Sequence, residues 1–120
     1  MTQEDKELLL KDLCERLPYR VKISVNNNIE SLQGINVLDN VVEYGLFLSS
    51  DIEEVKPYLF PLSSMTEEQK QEYQHITERW MYDSSYSISD SIDWLNAHHF
   101  DYRNLIQMNL AIDATGLNIY

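Results

Sequence analysis

VKISVNNNIESLQGINVLDNVVEYGLFL, residues 21–48, is the stretch whose reading decides the fold. Val21, Ile23 and Val25 alternate with Lys22 and Ser24, the two-residue period of a strand with one buried face. Asn26, Asn27 and Asn28 then supply a turn that tolerates positive φ. The return strand is expected over 29–38, with a change of phase between Leu32 and the pair Ile35 and Val37. Gly34 stands at that break and marks a β-bulge. Asp39-Asn40 signals a second turn, and Val42, Tyr44, Leu46 and Leu48 alternate as a third strand. No crossover helix lies between these strands, so they are expected to form a three-stranded antiparallel meander.

Upstream the period is helical. Thr2 can cap a first helix, acids fill its first turn, and Leu9, Leu13 and Leu17, joined by Leu10 and Cys14, form one apolar stripe that Pro18 ends. Cys14 reads as a small core hydrophobe on that stripe rather than a nucleophile.

Downstream, Ser50 and Glu53 have capping-box spacing for a short helical turn from Asp51 to about Pro57. Residues 58–62, YLFPL, are apolar, proline-flanked and irregular, and read as a connector laid across the core. Thr66 and Gln69 form another capping box before a helix over 67–82, whose Tyr73, Ile76, Thr77, Trp80 and Met81 share a face. Glu67, Glu68 and Glu72 near its start suit the helix dipole. A serine-rich connector, 83–91, precedes a helix bearing Ile88, Ile92, Leu95 and His99, with His98 and His99 in its last turn. Asp101 signals a last short helix over 102–107, and the tail carries a short strand. The expected fold is thus one α+β domain over 1–120: N-terminal helix, meander, then two to three helices. Its core is expected from Leu9, Leu13, Leu17, Val21, Ile23, Val25, Leu46, Leu48, Leu59, Ile76, Trp80, Ile92, Leu95 and Leu105.

Of 120 residues, 20 are Asp or Glu and 9 Lys or Arg, a net charge of −11. Residues 1–22 are balanced, while 23–120 carry fifteen acids against Lys56, Lys70, Arg79 and Arg103. Such a surface repels phosphate backbones and anionic lipid, which argues against nucleic-acid and membrane binding; it reads first as a solubilising surface and, more sharply, as an acidic face that docks on a basic protein partner. The N-terminus has acids where a secretory leader needs a basic start, and no apolar run approaches the roughly 20 residues of a membrane span. A cytoplasmic address is expected. One cysteine excludes an internal disulfide and a cysteine-rich zinc site.

Catalytic patterns are missing. Three glycines are too few for a P-loop or dinucleotide fingerprint, and no serine sits in a G-x-S-x-G elbow. The stretch Asp113-Ala114-Thr115-Gly116 lacks the lysine of a phosphoryl-acceptor motif. Adjacent His98 and His99 diverge by about 100° on a helix, so a shared metal would need tertiary structure to bring in Asp101 or His75, and surface or cap histidines are the expected reading. We therefore expect no enzyme, no catalytic or metal-binding residues and no cofactor. Eight tyrosines among acids fit a protein interface, since Tyr and Trp are enriched there. The expected surface is the helical half: Glu72, Tyr73, Tyr82, Tyr86, His98 and His99. An aromatic-rich domain of this size is also compatible with self-association.

Four segments carry a resemblance: KDLCERLPYRVK at 11–22, VKPYLFPLSSMTEEQ at 55–69, DWLNAHHFDYRNLI at 93–106 and LAIDAT at 110–115. Together, about two-fifths of the chain, they resemble an uncharacterised family of small proteins from Bacteroides-type gut bacteria, their phages and mobile elements. Relatives tend to carry glycine at positions 20 and 104, here Arg20 and Asn104, and many are longer between sheet and DWLN helix. The resemblance implies a genomic setting and carries over no catalytic residues. The leading expectation is a non-enzymatic prophage or mobile-element accessory protein acting through protein–protein contact. Alternatives are an acidic nucleic-acid mimic that blocks a DNA-binding protein, and a small metal-dependent hydrolase using His98, His99 and nearby carboxylates.

Overall fold

A computed structural model describes residues 1–82 and 88–120, with backbone alone for 80–82 and 88. Helix α1 spans Gln3–Arg16. Thr2 caps it: its hydroxyl accepts the Asp5 N–H at 3.0 Å while Asp5 accepts the Thr2 N–H, a closed capping box. A 3-10 turn, Leu17–Tyr19, ends the segment at Arg20, whose φ of 56° is left-handed. Strands β1 (Lys22–Val25), β2 (Asn28–Asn36), β3 (Val41–Tyr44) and β4 (Leu48–Asp51) follow as successive antiparallel hairpins. Then come β5 (Val55–Pro61), α2 (Glu67–Tyr82), α3 (Ile88–Ala97), β6 (Phe100–Asp101) and β7 (Ile112–Asp113). The sheet runs β4-β3-β2-β1-β5-β6, with β7 also on β5. β5 pairs antiparallel with β1 and parallel with β6 and β7, so the sheet is mixed.

The α+β class and the order helix, sheet, helices are as the sequence indicates, and the predicted bulge is present: the β2–β3 register shifts between Leu32 and Gly34. The sheet is larger than a three-stranded meander for two reasons. First, the expected third strand ends at Tyr44; Gly45 and Phe47 take φ of 56° and 61°, and the chain reverses into β4. Leu46 and Leu48, expected in the core, are therefore exposed. Second, the segment expected as a connector is the inner strand β5. Its prolines hid it, because proline withdraws a ladder donor. Pro57 is tolerated because its rung is filled only by Ile23 of β1, the pairing with β7 beginning at Tyr58.

Other expectations shift locally. The turn at Ile52–Glu54 is 3-10 and is capped by Asp51, whose carboxylate accepts the Glu53 N–H, rather than by Ser50. The Thr66–Gln69 capping box forms as expected. No helix forms over 102–107. Asp101 does act as a cap, its carboxylate accepting N–H groups of Arg103, Leu105 and Ile106, but left-handed Asn104 and Asn109 keep the chain in turns. Arg20 and Asn104 both have positive φ, so the chain turns tightly at both positions without glycine.

Leu9, Leu10 and Leu13 pack on Val21, Ile23, Val25, Val42, Val55 and Leu59 to form the main core. The buried face of α1 also takes in Asp12 and Arg16, which turns Cys14 out to solvent; it is no core residue. Leu17 is only partly buried. Trp94, Leu95 and Phe100 form a second cluster, with Phe60, Tyr73, Ile76 and Ile92 against it. The expected core role of Trp80 concerns a side chain outside the described residues. No helix among the described residues is long and apolar enough to cross a membrane.

Candidate interaction surfaces

Trp94 organises part of the surface expected from the sequence. Its indole N–H donates to Glu72 Oε1 at 3.0 Å, its ring lies 5.5 Å from that of Tyr73, and it stacks on His98 at 4.1 Å. The arrangement follows from sequence spacing: Trp94 and His98 are four apart at the end of α3, and Glu72 and Tyr73 face them from α2. Three of the expected residues thus converge, but Tyr73 and His98 are half-buried and already partnered. His99 goes elsewhere. With φ of 62° it leaves the helix and stacks on Tyr120 at 3.7 Å. Tyr86 and the side chain of Tyr82 lie outside the described residues.

Behind this surface is a polar network that sequence reasoning missed. Arg16 has no exposed side-chain area; its Nε donates to Asp12 Oδ2 at 2.7 Å and its Nη2 to the Phe100 carbonyl at 2.7 Å. Arg103 binds Asp12 Oδ1 at 2.7 Å and Glu15 Oε2 at 2.6 Å. The Tyr102 hydroxyl, 2.8 Å from Asn96 Oδ1 and 3.0 Å from Glu15 Oε2, accepts from Arg103 Nη1. The i, i+4 spacing of Asp12 and Arg16 was the available signal, masked by the ease with which such pairs are read as solvated.

Protonation follows from these contacts. Burial works to raise the Glu15 pKa, yet the hydrogen bonds from Arg103 and Tyr102 outweigh it and hold the carboxyl below its usual range. Burial, then the charges of Arg16 and His98, lower His99 to about 4, so it is neutral at pH 7. Although Cys14 faces solvent, the partial desolvation of its thiol on α1 and the neighbouring Glu15 push its pKa up, away from nucleophilic thiolate. Among the described residues no three His, Cys, Asp or Glu side chains converge as a metal site.

Away from that surface, large apolar side chains are exposed at two hairpin turns, Val37 and Leu38 between β2 and β3 and Leu46 and Phe47 between β3 and β4. Leu46 is 85% and Phe47 104% exposed, and Leu48 beside them is half-exposed. Phe47 also holds a left-handed φ, a conformation that usually belongs to glycine or asparagine and costs other residues about 1–2 kcal/mol. These side chains wall an open groove of about 580 Å³ whose polar side is Gln33, Glu43 and Ser49. Residues 23–55 contain six acids (Glu30, Asp39, Glu43, Asp51, Glu53 and Glu54) and no Lys, Arg or His. The hairpin tip is thus flanked in sequence by acids alone, of which Glu53 is paired with Lys6 at 3.0 Å. In the sequence, Tyr44-Gly45-Leu46-Phe47 was the signal; its strict alternation concealed the turn that Gly45 allows.

Set against known family models, curated proteins and solved structures, the chain matches none of them.

Proposed function

We propose that the protein is a non-enzymatic accessory protein that docks on a basic protein partner through the β3–β4 hairpin. One observation carries this: Phe47 is fully exposed in a backbone conformation unfavourable to it. Strain and solvent exposure together are a cost without return in the free protein, and such residues cluster at functional positions. Buried aromatic anchors dominate binding energy at protein interfaces, and an apolar tip within an acidic surface suits a pocket with a basic rim. A nucleic-acid mimic would need carboxylates in rows; the apolar side chains at the hairpin tip favour a protein. The four resembling segments support a prophage or mobile-element setting, and the Trp94 cluster is the alternative surface.

Site-specific photo-crosslinking separates the two surfaces. A photoreactive phenylalanine analogue at position 47 should yield adducts with a basic protein in lysate of a Bacteroides-type host, while the same analogue at His75, exposed on α2, should not. Adducts from position 75 alone would move the surface to the helical half. Adducts from neither position would end the interaction reading.

A further inference from the structure

The groove behind Phe47 has a polar wall that is as informative as its apolar one. A Cβ on Gly34 would stand 2.6 Å from Glu43 Oε2, so the Glu43 carboxylate lies down on the bulge backbone, in the space that the missing side chain leaves. Glu30 reaches toward the other end of the hairpin loop: its Oε2 lies 3.6 Å from the Cβ position of Gly45. Neither carboxylate has a hydrogen bond or ion pair among the described residues. The nearest bases in sequence are Lys22 and Lys56, and Lys22 Nζ is engaged with Ser31 Oγ at 3.0 Å, Lys56 Nζ with Asn109 Oδ1 at 3.0 Å. The chain thus supplies an apolar wall and a carboxylate over an open groove, and among the described residues no cation is paired with that carboxylate.

We infer that this groove receives an arginine side chain of the partner, its stem along Leu48, its guanidinium over the Phe47 ring and paired with Glu43. The inference rests on the docking reading above and names the chemistry of its anchor. Arginine fits better than lysine for two physical reasons. Its planar guanidinium stacks on an aromatic face and forks onto a carboxylate at once, whereas an ammonium is a strongly hydrated point charge. A negatively charged partner, or a second copy of this chain at −11, meets repulsion at the same place.

The test is an NMR titration of the intact ¹⁵N-labelled protein with the peptide acetyl-Gly-Val-Arg-Val-Gly-amide and its citrulline counterpart, which keeps the shape and loses the charge. The arginine peptide should shift the amides of Gly34, Gly45 and Phe47 along a saturable curve, and citrulline should bind about tenfold more weakly, the loss of one charge-assisted pair. Glu43→Gln should remove that difference. Gly34→Ala should weaken arginine binding too, because its methyl displaces the Glu43 carboxylate while leaving Phe47 in place. Equal binding of the two peptides, or shifts centred on α2 and α3, would overturn the inference. Should position 47 still crosslink a partner while Glu43→Gln leaves those adducts unchanged, the arginine anchor falls and the docking reading stands.

Discussion

Arg16 Nε donates to Asp12 Oδ2 at 2.7 Å with neither side chain exposed, and the same carboxylate receives Arg103 on its second oxygen. Asp12 therefore bridges two guanidiniums, and it ties α1 to the turn after β6. Removing a single member of a buried pair leaves an uncompensated charge at a cost of about 3–5 kcal/mol. Asp12→Ala is expected to lose stability on that scale in urea denaturation. A loss under 1 kcal/mol would mean that water reaches the network.

Left-handed residues give a prediction of the opposite sign. Arg20 follows the 3-10 turn with φ of 56° and its side chain is exposed. Arg20→Gly should relieve the left-handed strain, partly offset by the greater entropy of an unfolded glycine, for a net gain of about 0.5–1 kcal/mol. Thermal unfolding reads it directly; a loss would show that the Arg20 side chain contributes contacts that outweigh the strain.

Tyr120 closes a gap in the sheet. Its hydroxyl accepts the Lys22 N–H at 2.8 Å and donates to the Tyr58 carbonyl at 2.7 Å, bridging β1 and β5 just beyond their last paired rung, Ile23 with Pro57. Tyr120→Phe keeps the ring on His99 and strips both bonds. The expected cost is about 1–3 kcal/mol, with faster amide exchange at Lys22.

His99 sets a pH dependence. Its folded pKa of about 4 lies below the ordinary 6.5, so the unfolded chain binds the proton more tightly. The stability it contributes is complete well above pH 6.5 and is lost as pH falls toward 4, at most about 3 kcal/mol. His99→Asn, a residue suited to the left-handed backbone there, should flatten that part of the curve. An NMR midpoint near 6.5 for His99 would contradict the burial argument.

Much of this architecture is legible in the sequence because one physical signal dominates each element. Thr2, Thr66 and Pro18 bound helices by capping and by lost donors, and Val21, Ile23 and Val25 show the strand period directly. Reading fails where two signals compete. The alternation of Tyr44, Leu46 and Leu48 outweighed the turn that Gly45 permits, and the prolines of β5 outweighed its apolar run. The candidate site suffered most. A strand period predicts that Leu46 and Leu48 are inside, so the exposed tip appears only when the hairpin is seen. Arg16 reads as a solvated charge until the burial of both partners is known.

The central claim is that Phe47 is an anchor rather than a structural residue, and Phe47→Asn tests it most directly. Asparagine takes the left-handed conformation readily and nothing packs on the lost ring, so the variant should be equal to or about 0.5–1 kcal/mol more stable than the parent. The measurement is paired affinity capture of parent and variant from host lysate with quantitative mass spectrometry, at matched folded concentration. The account predicts a basic protein retained by the parent and reduced at least tenfold by the stable variant. Identical retention by both would contradict it.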